Sequence, residues 1–199
     1  MNKLFISILL FITISHQNIF FEKQEFSKAY FASGCFWCVE SIYENLKGVI
    51  NVDSGYSGGS TINPTYYQVI SGNTGHAETI EVIYDSSIID FKTLVNVFFG
   101  SHDPSTLNRQ GPDVGTQYRS VAFYSSNEEK NIINNEIDRL LKNKVYKKIT
   151  TEVIPFKKFY VAENYHQDYK KKNPNDLYII KVSAPRINKF KINFKEILK

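Results

Sequence analysis

Residues 28–46 read KAYFASGCFWCVESIYENL, and the change of period within this stretch decides how the chain begins to fold. Residues 28–33 have the small and aromatic composition of a short strand, which Gly34 ends. From Cys35 onward Val39, Ile42, Tyr43 and Leu46 recur at helical spacing, and Gly48 supplies a stop. The chain has two cysteines and one tryptophan, and all three fall between Cys35 and Cys38, in the first turn of that helix. Such a pair is open to three readings: a redox couple, half of a metal site, or a structural staple.

Working outward, residues 49–56 form a second strand candidate. Asn63 as N-cap with Pro64 at the first helical position predicts a helix to about residue 71. Over residues 76–84, Ile80, Val82 and Tyr84 share one face of a strand, with Thr79 and Glu81 on the other. Glu78 has the parity of the apolar face, where a carboxyl is partly desolvated and its protonated form favoured. Asp90 caps a helix carrying Phe91, Leu94, Val95, Phe98 and Phe99. A long loop, 102–117, follows, of a length often tied to function. A strand at 118–124 comes next, then a capping box of Ser126 and Glu129 opening a helix through Leu141. Residues 150–154 read as a last core strand and 162–171 as a short helix before Pro174. The alternation predicts an α+β fold: a two-layer mixed β-sheet with flanking helices.

The 199 residues suit a single domain over 26–199. With 42% hydrophobic and 15% aromatic residues, the chain is a folded globule, not a disordered one. The net charge of +4 is concentrated at the C-terminus, where Lys181, Arg186, Lys189, Lys191, Lys195 and Lys199 face only Glu196. The remaining 18 cations and 19 acids nearly cancel, the opposite of a nucleic-acid-binding core. The basic tail, about 175–199, reads as solvated. At the other end, the apolar run 4–14 behind Lys3 is too short to span a bilayer but fits a secretory signal within residues 1–20. That reading predicts a periplasmic or secreted protein, with a membrane-anchored or cytoplasmic one as the alternative.

Two cysteines three residues apart close too short a loop to restrain the unfolded chain, so they are a poor staple. A structural zinc site needs four ligands, and no second cysteine pair exists to complete one. As a redox couple they make sense: Cys35, nearest the helix N-terminus, gains thiolate stabilisation from the macrodipole and unsatisfied N–H groups. Cys38, at i+3, projects from the same face and is placed to resolve an oxidised Cys35. Phe36 and Trp37 have two readings, as core side chains or as the wall of a pocket for a small apolar group.

The run Gly34-Cys35-Phe36-Trp37 with Val39-Glu40 resembles the signature of the methionine sulfoxide reductase A family. Further matches are collinear: Gly55-Tyr56, Gly58-Gly59, Asn63-Pro64-Thr65-Tyr66, Ser71-Gly72 and Gly75-His76-Ala77-Glu78, then His102-Asp103-Pro104, Asn108-Arg109-Gln110-Gly111, Asp113, Gly115 to Ser120 and Ala162 to Gln167. The resemblance spans about 28–175. It implies the family's ferredoxin-like core, a single monomeric chain and reduction of the S epimer of methionine sulfoxide, free or in proteins, with no metal and no bound cofactor. It also implies residue roles. Cys35 attacks the sulfoxide sulfur and Glu78 protonates its oxygen. Tyr66 and Tyr118 donate to that oxygen, Asp113 orients the site, and Phe36 and Trp37 hold the S-methyl group. Cys38 stands where a Gly is common in the family, which matches the subgroup with both cysteines inside the motif. The implied cycle runs from a Cys35 sulfenic acid to a Cys35 to Cys38 disulfide, reduced by thioredoxin or another dithiol donor. His76 and His166 are expected to be structural hydrogen-bonding residues.

Two other classes compete. A thioredoxin-like oxidoreductase also uses Cys-x-x-Cys, but usually with Trp before the pair. A secreted aromatic-rich module binding peptides would leave the cysteines idle and would need no buried Glu78.

Overall fold

The computed structural model describes residues 26–199; the expected signal segment at 1–20 lies outside them. Six strands form the main sheet in the order β7-β6-β1-β3-β2-β8. Here β1 is Ser27–Ser33, β2 Val49–Ser57, β3 Ala77–Tyr84, β6 Ser120–Tyr124, β7 Glu152–Pro155 and β8 Phe159–Val161. A two-residue hairpin, β4 (Arg109–Gln110) with β5 (Asp113–Val114), stands apart. The central four strands run β6-β1-β3-β2, all antiparallel, while β7 adds to β6 in parallel. With α1 (Phe36–Glu44) after β1 and α3 (Phe91–Ser101) after β3, this is the β-α-β-β-α-β ferredoxin-like arrangement, extended at both edges into a mixed sheet.

One sheet face carries the main core. Phe31, Val52, Ile80 and Val82 meet Val39, Ile42 and Tyr43 of α1 and Leu94 and Phe98 of α3, all buried. The opposite face holds a smaller cluster of Tyr30, Ala32, Ala77, Val121 and Phe123, covered by Phe156 and Phe159. Tyr30 stacks on Phe156 with ring centroids 3.6 Å apart. Gly55 permits this cover, since a Cβ there would come within 2.4 Å of the Phe159 ring.

Several local expectations shift. The helix after residue 63 begins at Tyr66 (α2, Tyr66–Ile70), because Thr65 and Gln68 form a complete capping box there. Asn63 instead takes a left-handed turn, φ 48°, ahead of Pro64. Ser126 caps α4 (Asn127–Lys142) by accepting from the Glu129 N–H, but the Glu129 carboxylate reaches Ser125 N, so that box is only half formed. The 102–117 loop contains the β4/β5 hairpin, and residues 116–118 form a 3₁₀ turn. Residues 162–168 are irregular, leaving only α5, Tyr169–Lys172, of the helix expected at 162–171. Gln167 accounts for the difference: it donates to the Ser54 and Ala162 carbonyls and accepts from Ser54 N, tying the segment to β2.

The largest correction concerns the basic tail. Residues 179–183 form a wide π turn running into α6, Ala184–Asn193. Ile179, Ser183, Ile187 and Phe190 are buried. Leu198 then pairs with Leu46 in an isolated β-bridge. Pro185 has no N–H to bond four residues back and crowds the carbonyl there; the widened turn sits immediately before it. The lysines face water while an apolar stripe packs on α1 and α3, which is why charge alone misreads the segment.

Candidate active site

Gly34, at φ +85°, turns the chain from β1 into α1. A side chain there would strike Gln110, whose Cβ lies 2.6 Å from the position a Cβ would take. The turn leaves Cys35 as the N-cap of α1, so the first N–H groups of the helix face the neighbouring strand. On β3, Glu78 meets them: its Oε2 accepts the Phe36 N–H at 3.0 Å. Glu78 is 2% exposed. Burial pushes its carboxyl up to about 8, and the nearby Asp113 and Cys38 charges add to the rise against the opposing Phe36 bond. A carboxylic acid that keeps its proton at neutral pH is a general acid.

Both cysteines are free thiols and buried. Their surroundings act differently on the two sulfurs. Burial pushes the Cys35 thiol up, because its position at the N-cap lies in a water-poor interior. Cys38 is drawn down to about 6 by the hydrogen bond from Cys35, the Arg186 charge and Ser183.

Phe36 is fully buried and lies 6.0 Å from the Tyr56 ring and 5.0 Å from His166. Trp37 is partly exposed, stacks on Tyr169 at 3.7 Å and meets the edge of Tyr178 at 5.8 Å. Its indole N–H donates to His166 Nδ1 at 3.1 Å. That bond makes Nδ1 an acceptor, so the ring proton sits on Nε2, a buried nitrogen with no hydrogen-bond partner. Tyr66 packs on the same ring, centroids 4.3 Å apart. Tyr66 and Tyr118 are each held protonated, first by burial and then by the charges of Glu78 and Cys35, which places both hydroxyls in the field of the acid and the nucleophile. Asp113 is reached directly by the Tyr178 hydroxyl at 2.6 Å, and burial raises its carboxyl.

All eight predicted residues thus converge between the ends of β1 and β3, α2 and the hairpin. His76 bonds Gly59 N and the Thr61 carbonyl and shapes that loop.

Sequence reading missed several contributors. Glu163 accepts from the Tyr66 N–H and the Tyr56 hydroxyl, both at 2.9 Å, locking α2 against β2. Glu40 accepts from Asp168 N, φ 55°, which brings Tyr169 under Trp37. Tyr178, Ser183 and Arg186 come from the tail. The buried stripe at 179, 183, 187 and 190 was the available signal, masked by the lysines between. Among the described residues no three His, Cys, Asp or Glu side chains cluster as a metal site.

Paired buried thiols, an adjacent protonated carboxyl and an aromatic pocket on a ferredoxin-like core define a thiol-dependent oxidoreductase. The model of the peptide methionine sulfoxide reductase family matches residues 27–198, and the chain belongs to that family. The MsrA enzyme of Sulfolobus acidocaldarius is 47% identical over 163 residues, 82% of this chain and 92% of its own length. The reduced form of Mxr1 from Saccharomyces cerevisiae superposes with a TM-score of 0.71 at 34% identity, over 76% of this chain and 87% of that one. Mxr1 in complex with Trx2 gives a TM-score of 0.52 at 23% identity, over 77% of this chain and 91% of that one, a likeness of fold. The protein reduces methionine sulfoxide to methionine.

Proposed function

We propose that the enzyme acts on the S epimer of methionine sulfoxide, free or within oxidised proteins, with Cys35 as nucleophile and Glu78 as acid. The observation that carries this is the Glu78 to Phe36 N–H bond, which holds a protonated carboxyl beside the residue following the nucleophile. As Cys35 attacks, its proton passes along the hydrogen bond to Cys38. The Cys35 sulfur bonds the sulfoxide sulfur while Glu78 protonates the oxygen, and the oxygen then moves to Cys35, releasing methionine and leaving Cys35 as a sulfenic acid. Tyr66 and Tyr118 donate to the oxygen while its charge grows. Phe36 and Trp37 receive the methyl group, and Asp113, through Tyr178, fixes the tail side of the pocket. The Cys38 thiol condenses with the sulfenic acid to give a disulfide and water.

An external dithiol such as thioredoxin then reduces the disulfide; the dithiol placement of Cys35 and Cys38 and the Trx2 complex of Mxr1 support that partner. The apolar run at 4–14 supports export, and a single monomeric chain fits the family. The deciding experiment incubates the full chain with methionine S-sulfoxide without reductant and maps the product by mass spectrometry. One methionine per enzyme and a Cys35 to Cys38 linkage are expected. Equal turnover of the R epimer, or no modification of Cys35, sinks the reading.

A further inference from the structure

Two tail residues approach the cysteine pair in a way the reductive step does not use. Ser183 Oγ lies 2.9 Å from Cys38 Sγ, and neither residue has any solvent exposure. Ser183 is the last residue of the π turn, a local widening frequent at functional sites. Arg186, three residues on, donates Nε to the Ser101 carbonyl at 2.7 Å and Nη2 to the Ser33 carbonyl at 2.8 Å. Its Nη1 stands 3.5 Å from where a Cβ on Gly34 would be, so the guanidinium lies against the backbone leading into Cys35. Among the described residues no carboxylate forms an ion pair with it. Carbonyls fix this cation without cancelling its charge, and in a water-poor site such a charge acts strongly on a nearby sulfur.

We propose that Ser183 and Arg186 are positioning residues for the resolving step, holding Cys38 toward oxidised Cys35 and stabilising its thiolate as it gives up its proton. The inference rests on Cys38 being the resolving thiol. In that step the Cys38 thiol, which took up the Cys35 proton during reduction, passes that proton to the departing oxygen as its sulfur attacks the sulfur of the Cys35 sulfenic acid; the S–S bond forms as the S–O bond breaks, and the oxygen leaves as water. Cys38 is oxidised and the Cys35 sulfur reduced, both to the disulfide level. A buried thiolate without donors is unfavourable; the Ser183 hydroxyl supplies one hydrogen bond and Arg186 the opposing charge. Both are among the causes that favour the Cys38 thiolate. Attachment to α6 makes resolution depend on the packing of that helix.

The test uses the full chain with methionine S-sulfoxide and no reductant. Rapid quenching follows methionine release and Cys35 to Cys38 linkage separately. In Ser183→Ala and Arg186→Gln the ratio of the linkage rate to the release rate should fall about tenfold, and Arg186→Lys should recover part of it. In a Cys35→Ala background the ultraviolet thiolate signal should place the Cys38 titration midpoint about one pH unit higher in each variant, the same tenfold factor. Unchanged midpoints, or release and linkage falling in parallel, would overturn the inference. If the parent chain forms no Cys35 to Cys38 linkage at all, the resolving role itself fails and the inference goes with it.

Discussion

Glu78 Oε2 and the Phe36 backbone nitrogen stand 3.0 Å apart, joining β3 to the first turn of α1. Glu78 is thereby registered to Cys35 through a backbone group, which no substitution at position 36 other than proline removes. Burial holds the Glu78 carboxyl up at about 8, so the acid form predominates at neutral pH. The single-turnover rate of sulfoxide reduction should fall as pH rises through 8 and Glu78 loses its proton. Glu78→Gln keeps the shape but donates a proton poorly, so that step should slow by about 10²-fold or more. A rate unchanged in stopped-flow measurements would remove Glu78 as the acid.

Cys35→Ser should abolish dithiol-dependent reduction. Cys38→Ser should still release one methionine per enzyme, then turn over poorly with thioredoxin, because the sulfenic acid then waits for an external thiol. Activity retained by Cys35→Ser would contradict the mechanism, and equal steady-state rates in Cys38→Ser would remove its resolving role.

Trp37 owes its orientation to Tyr169, whose ring lies parallel to it at 3.7 Å, 7° apart in plane. Aromatic pairs of this kind contribute about 0.5 to 1.5 kcal/mol beyond burial. Tyr169→Ala should therefore raise KM for methionine sulfoxide roughly threefold to tenfold with a smaller change in kcat. Steady-state kinetics decide this, and an unaltered KM would mean that Trp37 keeps its place without the stack.

Phe190 of α6 is buried and stacks on Phe194 at 4.6 Å. Phe190→Ala should cost about 3 to 5 kcal/mol in denaturant unfolding, the range for a large buried aromatic. A loss near zero would return the tail to a solvated extension.

His102 is neutral in the fold: Nδ1–H donates to the Phe98 carbonyl and Nε2 accepts from Ser120 Oγ, each at 2.7 Å. Burial, then the Arg186 charge, lowers its pKa to about 3. The unfolded ring titrates near about 6.5, so below that pH the unfolded chain binds a proton that the folded chain refuses. The stability this residue contributes is complete above pH 6.5 and is lost progressively as pH falls toward 3. Glu40 and Glu78, raised by burial, act in the opposite direction over higher pH. Comparing thermal midpoints of His102→Gln and the parent between about pH 6.5 and 5 isolates the histidine; parallel curves would refute it.

By itself the sequence located the helix after the first strand, the cysteine at its start and the buried carboxyl of Glu78. These are local facts: the shift from strand to helical period around Gly34 places Cys35 at a helix start, and strand parity puts Glu78 on a buried face. Collinear motifs carried Tyr66, Tyr118, Asp113, Phe36 and Trp37 to the same site. Tertiary structure alone decided the balance of burial and charge around the two sulfurs. That balance depends on burial of Cys35 and on Ser183 and Arg186, which lie 145 and 151 residues further along the chain than Cys38 and Cys35 respectively. It also turned the basic tail from a solvated extension into a wall of the site. The physical reason is the same in both cases: desolvation and long-range charge follow from packing between distant segments, and neither period nor composition along one segment contains them.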